Sequence, residues 1–121
     1  TIPEGVTSIG NNSFSSCSSL ASITIPEGVT NISGSAFQNC LSLVSITIPE
    51  GVTSISSGAF NSCCGLGFIK FVSQTPPTVS SISAWSAIPT DCIIYVPQGT
   101  LSAYTSATNY PDPATYTYVE Y

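Results

Sequence analysis

TIPEGVTSIGNNSFSSCSSLASI (residues 1–23), TIPEGVTNISGSAFQNCLSLVSI (24–46) and TIPEGVTSISSGAFNSCCGLGFI (47–69) are three copies of one 23-residue unit, joined end to end without insertion. Each opens with Thr-Ile-Pro-Glu-Gly-Val-Thr. An Ile follows two positions on, and Phe, Cys, Leu and a closing Ile recur in fixed columns. Self-similarity at a period of roughly 20 to 50 residues is the mark of a solenoid. One such unit cannot cover its own apolar side, whereas stacked units cover one another column upon column.

The columns predict the course of a coil. Ser-Ile-Thr-Ile at 22–25 and 45–48 alternates polar and apolar residues, the period-two pattern of a short strand with one buried face. Ile23, Ile25, Ile46 and Ile48 should point inward, and Ser22, Thr24, Ser45 and Thr47 outward. Ile-Pro-Glu-Gly then reads as a β-turn with Pro second and Gly fourth. The Pro also ends the strand, having no N–H for the ladder. Beyond it Val29, Ile32, Phe37, Cys40 and Leu43, separated by small polar residues, suit an irregular or short helical return segment. The expected fold is a solenoid, α/β-type or mostly β, with a parallel sheet of short strands on one face and a looser wall on the other.

From residue 70 the pattern decays. Lys70-Phe71-Val72 replaces Thr-Ile-Pro, and Gln74-Thr75-Pro76-Pro77 replaces the turn. Ile93-Ile94-Tyr95-Val96, followed by Pro97-Gln98-Gly99, echoes strand and turn after a longer loop that holds Trp85. Residues 100–108 should form a short helix with Thr100 as N-cap, packing Leu101 and Tyr104. Tyr116 to Tyr121 alternates like a final extended segment. Terminal repeats must close the core from water. The chain therefore divides into three repeats, 1–69, and a degenerate repeat with a C-terminal cap, 70–121.

The pattern L-x-x-I-x-I-P, then x-x-V-x-x-I-x-x-x-[AS]-F-x-x-C, resembles the leucine-rich repeat of bacterial surface proteins of the BspA-like type. The resemblance is tight over residues 1–69 and looser to about residue 110, where C-I-I-Y-V-P-Q-G-T-L-S-A-Y is similar to the terminal unit such proteins carry. It implies a leucine-rich repeat solenoid, a secreted or cell-surface location, and adhesion to a host or cell-surface protein or glycan. Thr1 already stands inside a repeat, so any export signal or anchor is expected upstream.

Charged residues make up only 6% of the chain, against about 25% in an ordinary domain. Lys70 is the one cation among Glu4, Glu27, Glu50, Asp91, Asp112 and Glu120, and the net charge is −5. Nucleic acid is thereby excluded, because phosphate binding needs several Lys or Arg. Docking on anionic lipid fails for the same reason. No apolar run approaches the roughly 20 residues of a membrane-spanning helix. Without His, neither a Ser-His-Asp nor a Cys-His site can be assembled. No glycine-rich phosphate loop occurs, so neither catalysis nor a cofactor is expected.

Three columns could carry chemistry. Cys17, Cys40 and Cys63 recur at the repeat period, but without C-x-x-C or His they lack a zinc pattern and read as buried thiols. Cys64 and Cys92 stand outside that column, and a bridge between them is open to an exported protein. Glu4, Glu27 and Glu50 read as solvated turn residues, since calcium wants six to eight oxygens. The outward strand positions run Thr1, Ser22, Thr24, Ser45, Thr47, Phe68, Lys70, Ile93 and Tyr95, passing from small hydroxyls to aromatic, apolar and basic groups. Either the later positions form a contact patch for a protein or glycan, or cap loops cover Phe68 and Tyr95 and make them core. Trp85 leans towards core. The candidate ligand-binding residues are Ser22, Thr24, Ser45, Thr47, Phe68, Lys70 and Tyr95. The alternative function is a spacer or stalk within a larger surface protein.

Overall fold

The computed structural model describes residues 2–121, so Thr1 and its expected outward position lie outside the described residues. The chain winds through about five turns of a parallel β-solenoid with little helix. In order it forms β1 (Ser8–Ile9), β2 (Asn31–Ile32), β3 (Ser45–Ile48), β4 (Ser54–Ile55), β5 (Phe68–Phe71), β6 (Thr78–Val79), a 3-10 helix (Ile82–Trp85), β7 (Ile93–Val96), α1 (Leu101–Thr105) and β8 (Thr117–Glu120). These make two four-stranded parallel sheets, β1-β2-β4-β6 and β3-β5-β7-β8.

The expected looser wall therefore carries a sheet of its own. Its strands are two residues long, too short to betray themselves by alternation, and they follow each turn directly. Their ladder shows in Thr30 N–H to Thr7 O at 2.8 Å and Ser56 N–H to Ile32 O at 2.9 Å. The return segments of the three regular repeats are runs of turns, not helices. Asn12, Ser16, Ser35 and Asn39 lie in the left-handed region, with φ between 56 and 61°, and each breaks any helix it interrupts. The β-turn is also shifted by one residue from expectation. Val6, Val29 and Val52 N–H donate to Pro3, Pro26 and Pro49 O, each at 3.2 Å, so Pro stands first and Gly third. At Gly51 stacking requires the glycine, since a Cβ there would lie 2.8 Å from Glu27 O.

Core columns stack in register. Phe14, Phe37, Phe60 and Trp85 form a ring ladder with centroids 5.3, 5.4 and 5.4 Å apart and planes within 3°. This is close to the strand spacing of about 4.8 Å that coil stacking imposes. Trp85 thus takes the Phe place in the irregular coil, and only 4% of it is exposed. Backbone bonds run beside the rings, Phe37 N–H to Ala59 O at 2.8 Å and Phe60 N–H to Ala84 O at 2.9 Å.

The two ends differ. At the N-terminal end Ser22–Ile25 is not a strand, contrary to expectation, and β3 pairs only with β5. Coil one has cover on a single side, so Phe14, Cys17, Leu20 and Ile23 stay half-buried and the segment gains little by docking on β3. At the other end tyrosines close the core. The hydroxyls of Tyr104, Tyr110, Tyr116, Tyr118 and Tyr121 donate to the carbonyls of Ser73, Pro77, Ile88, Pro111 and Phe71 at 2.6–3.0 Å. Helix α1 is shorter than expected, and Thr100 does not cap it with its side chain. The Thr100 hydroxyl donates instead to Pro97 O at 2.6 Å, while Glu120 Oε2 accepts from Gly99 and Leu101 N–H at 2.9 and 3.0 Å. So short a helix buries one face, and Tyr104 occupies it, leaving Leu101 40% exposed.

Two predictions follow from this packing. Phe60→Ala should cost about 3–5 kcal/mol in denaturant unfolding, and Phe14→Ala markedly less, because Phe14 has a neighbour on one side only. Equal losses would contradict the ladder. Burial raises the Tyr104, Tyr110 and Tyr118 phenols, and it pushes the Cys63 thiol from 9.0 up to about 12. The core accepts only their neutral forms, while the unfolded chain ionises its thiols near 9.0. Their stabilising contribution is thus complete below about pH 9 and is lost as pH rises towards 12. Thermal midpoints should be flat from about pH 7 to 8.5 and fall steeply above pH 9 to 10. A midpoint that rises there would refute the assignment.

Candidate functional site

Alternation along β5 and β7 sends Ile69, Phe71, Ile94 and Val96 into the core and turns Phe68, Lys70, Ile93 and Tyr95 outward. Strand register brings Phe68 between Ser45 and Ile93, and Lys70 between Thr47 and Tyr95. Strand β8 adds Thr117 beside Ile93 and Val119 beside Tyr95. Tyr121 follows, tied to the sheet through its N–H to Val96 O at 3.1 Å and its hydroxyl to Phe71 O at 2.6 Å.

Phe68, Lys70, Tyr95 and Tyr121 line one open depression of about 330 Å³. Phe68 and Tyr95 meet edge to face at 5.6 Å, an arrangement favoured by the ring quadrupoles. The Lys70 ammonium sits 4.5 Å from the centroid of the Tyr121 ring, within cation–π range. Cap loops do not cover these rings: Phe68 is 37% and Tyr121 45% exposed, and Tyr95 is half-buried. Five of the six tyrosines commit their hydroxyl to a backbone carbonyl; Tyr95 has no such bond among the described residues.

Of the sequence candidates, Ser45 and Thr47 stand on the same sheet face as this depression. Ser22 and Thr24 do not join it. They are exposed and line a separate hollow with Glu4 and Phe14 at the N-terminal end. Tyr121 was missed because its place beside β5 and β7 depends on β8 forming one more coil. The alternation of Tyr116, Tyr118 and Glu120 signalled an extended segment but not its neighbour.

Of the thiol column, Cys17 is only half-buried, contrary to expectation. Cys40 and Cys63 are buried, each thiol donating to a Phe carbonyl of the preceding coil at 3.1 Å. Burial raises both, with Cys63 pushed up to about 12. Cys92 is buried and, chiefly by desolvation and then by Asp91, pushed up to about 11. Cys64 is exposed, and both Cys64 and Cys92 are free thiols, so no bridge joins them. Glu4, Glu27 and Glu50 are exposed. Among the described residues no group of three His, Cys, Asp or Glu could hold a metal ion, and no helix is long and apolar enough to cross a membrane.

The BspA type leucine-rich repeat region matches residues 1–96 in six copies. The chain belongs to this family. The match runs to Val96, the last residue of β7, and so takes in the irregular coil with Trp85 as well as the regular copies. BspA-type leucine-rich repeats are modules found often in bacterial surface proteins, and solenoids of this fold are typically binding or scaffold modules. No curated protein matches the chain.

Thiol reactivity tests the column assignment. At about pH 8 a disulfide reagent should modify Cys64 in the native BspA-type domain, whereas Cys40, Cys63 and Cys92 should wait for unfolding. Fast native labelling of Cys63, read by mass spectrometry, would contradict its burial.

Proposed function

We propose that this leucine-rich repeat domain is a contact module of an exported surface protein. It holds an extracellular protein or glycan against the outward face of β3, β5, β7 and β8. The observation that carries this reading is the depression lined by Phe68, Lys70, Tyr95 and Tyr121. Exposed aromatic side chains on a rigid sheet bring large contact area at small entropic cost, and such residues with a neighbouring cation are typical anchors of interfaces. The family's frequent occurrence in surface proteins supports the location. The module acts by binding and not by catalysis, because a chain without His and with its few carboxylates scattered along its length offers no paired acid and base.

The test is a screen of the folded chain against extracellular-matrix proteins and a glycan array, with circular dichroism as the control. A ligand should be retained, and Phe68→Ala or Tyr95→Ala should weaken it at least about tenfold, while Thr24→Ala leaves it unchanged. A well-folded domain that retains nothing, or a ligand indifferent to Phe68 and Tyr95, would favour the stalk instead.

A further inference from the structure

We infer that the depression on β5 and β7 takes the carboxylated sugar of an acidic glycan; this rests on the contact-module reading above. The first reason is charge. Six acidic side chains and one ammonium give the chain a net charge of −5, and Lys70 is the one side chain whose charge attracts an anionic group. Within the fold that ammonium lies against the Tyr121 ring, and a ring, unlike a carboxylate, leaves the positive charge available to a ligand anion.

The second reason is the shape and chemistry around Lys70. Phe68 and Tyr95, set edge to face, offer apolar surface to the C–H face of a pyranose. The Tyr95 hydroxyl has no internal partner among the described residues and can bond a sugar hydroxyl. Ser45, Thr47 and Thr117 extend the same face with further hydroxyls. A volume of about 330 Å³ lies at the low end for ligand sites, which begin at about 300 Å³, and suits a terminal sugar.

The third reason separates a glycan from an acidic peptide. Strands β5 and β7 are paired on both edges, so no peptide can add to them as a further strand. A peptide could add as a strand only at the free edges of β3 and β8, whereas the depression between them offers what a sugar needs: ring faces, hydroxyls and an ammonium.

The full chain should be titrated with trigalacturonate and sialyllactose, their methyl esters, a sulfated galactose trisaccharide and a pentaglutamate peptide. The two acids should bind, and their esters should bind at least about tenfold more weakly. Lys70→Gln should abolish the preference for acid over ester, and Lys70→Arg should keep it, with both variants melting like the parent. Equal binding of acids and esters would overturn the inference, as would a preference for the sulfated sugar or Lys70-dependent capture of the peptide. A protein ligand lost on Phe68→Ala, with no acidic sugar bound, would refute the inference alone. Absence of any ligand would refute the contact-module reading with it.

Discussion

Each coil of this solenoid meets the same requirement: its amides must reach the carbonyls of the next coil while its side chains land on their own kind. Both conditions are met at one offset, 23 residues, seen in pairs such as Thr30 with Thr7 and Thr53 with Thr30. The Phe ladder and the backbone ladder are two expressions of that offset. Since strand side chains alternate with period two, a one-residue slip would turn the core face of a strand to water. The later coils keep the registry although they are longer. Phe68 pairs with Ile93 and Ile93 with Thr117 because the extra residues sit in loops outside the strands.

The C-terminal end of the stack is a separate problem, since the described residues add no further coil beyond β8 and the carbonyls and rings there need other cover. Here tyrosine answers both needs, the ring covering the core and the hydroxyl reaching back to a carbonyl. Tyr104 and Tyr110 do so deep in the core against Phe71 and Trp85. Tyr121 does so at the surface, where its ring also meets Lys70. The closure of the solenoid and the aromatic depression are therefore built from the same terminal segment, and the depression appears where the outward rows stop being hydroxyls.

The period, the inward columns and the direction of the β3-type strand were legible because three nearly identical copies display each position three times. Phe68, Lys70 and Tyr95 could be placed on one face from alternation and the position of Ile93–Val96 alone. Other features were hidden for physical reasons. A two-residue strand carries no periodicity, so β1, β2 and β4 left no trace. The turn register depended on which carbonyl a Val amide chose, and the capping of α1 on a carboxylate 19 residues away. Tyr121 joined the site through β8, whose pairing is long-range and leaves no pattern in the local sequence.

The registry itself can be tested by deletion. Removing residues 24–46, one full repeat, should leave a folded, shorter solenoid that unfolds cooperatively with lower stability. Removing Lys70 alone, one residue inside the central strand β5, should abolish the cooperative transition, because the slip turns Phe71 from core to surface within a strand paired on both edges. Circular dichroism and denaturant unfolding of the two proteins would decide. If both deletions folded equally well, stacking at the 23-residue offset could not be what holds the molecule together.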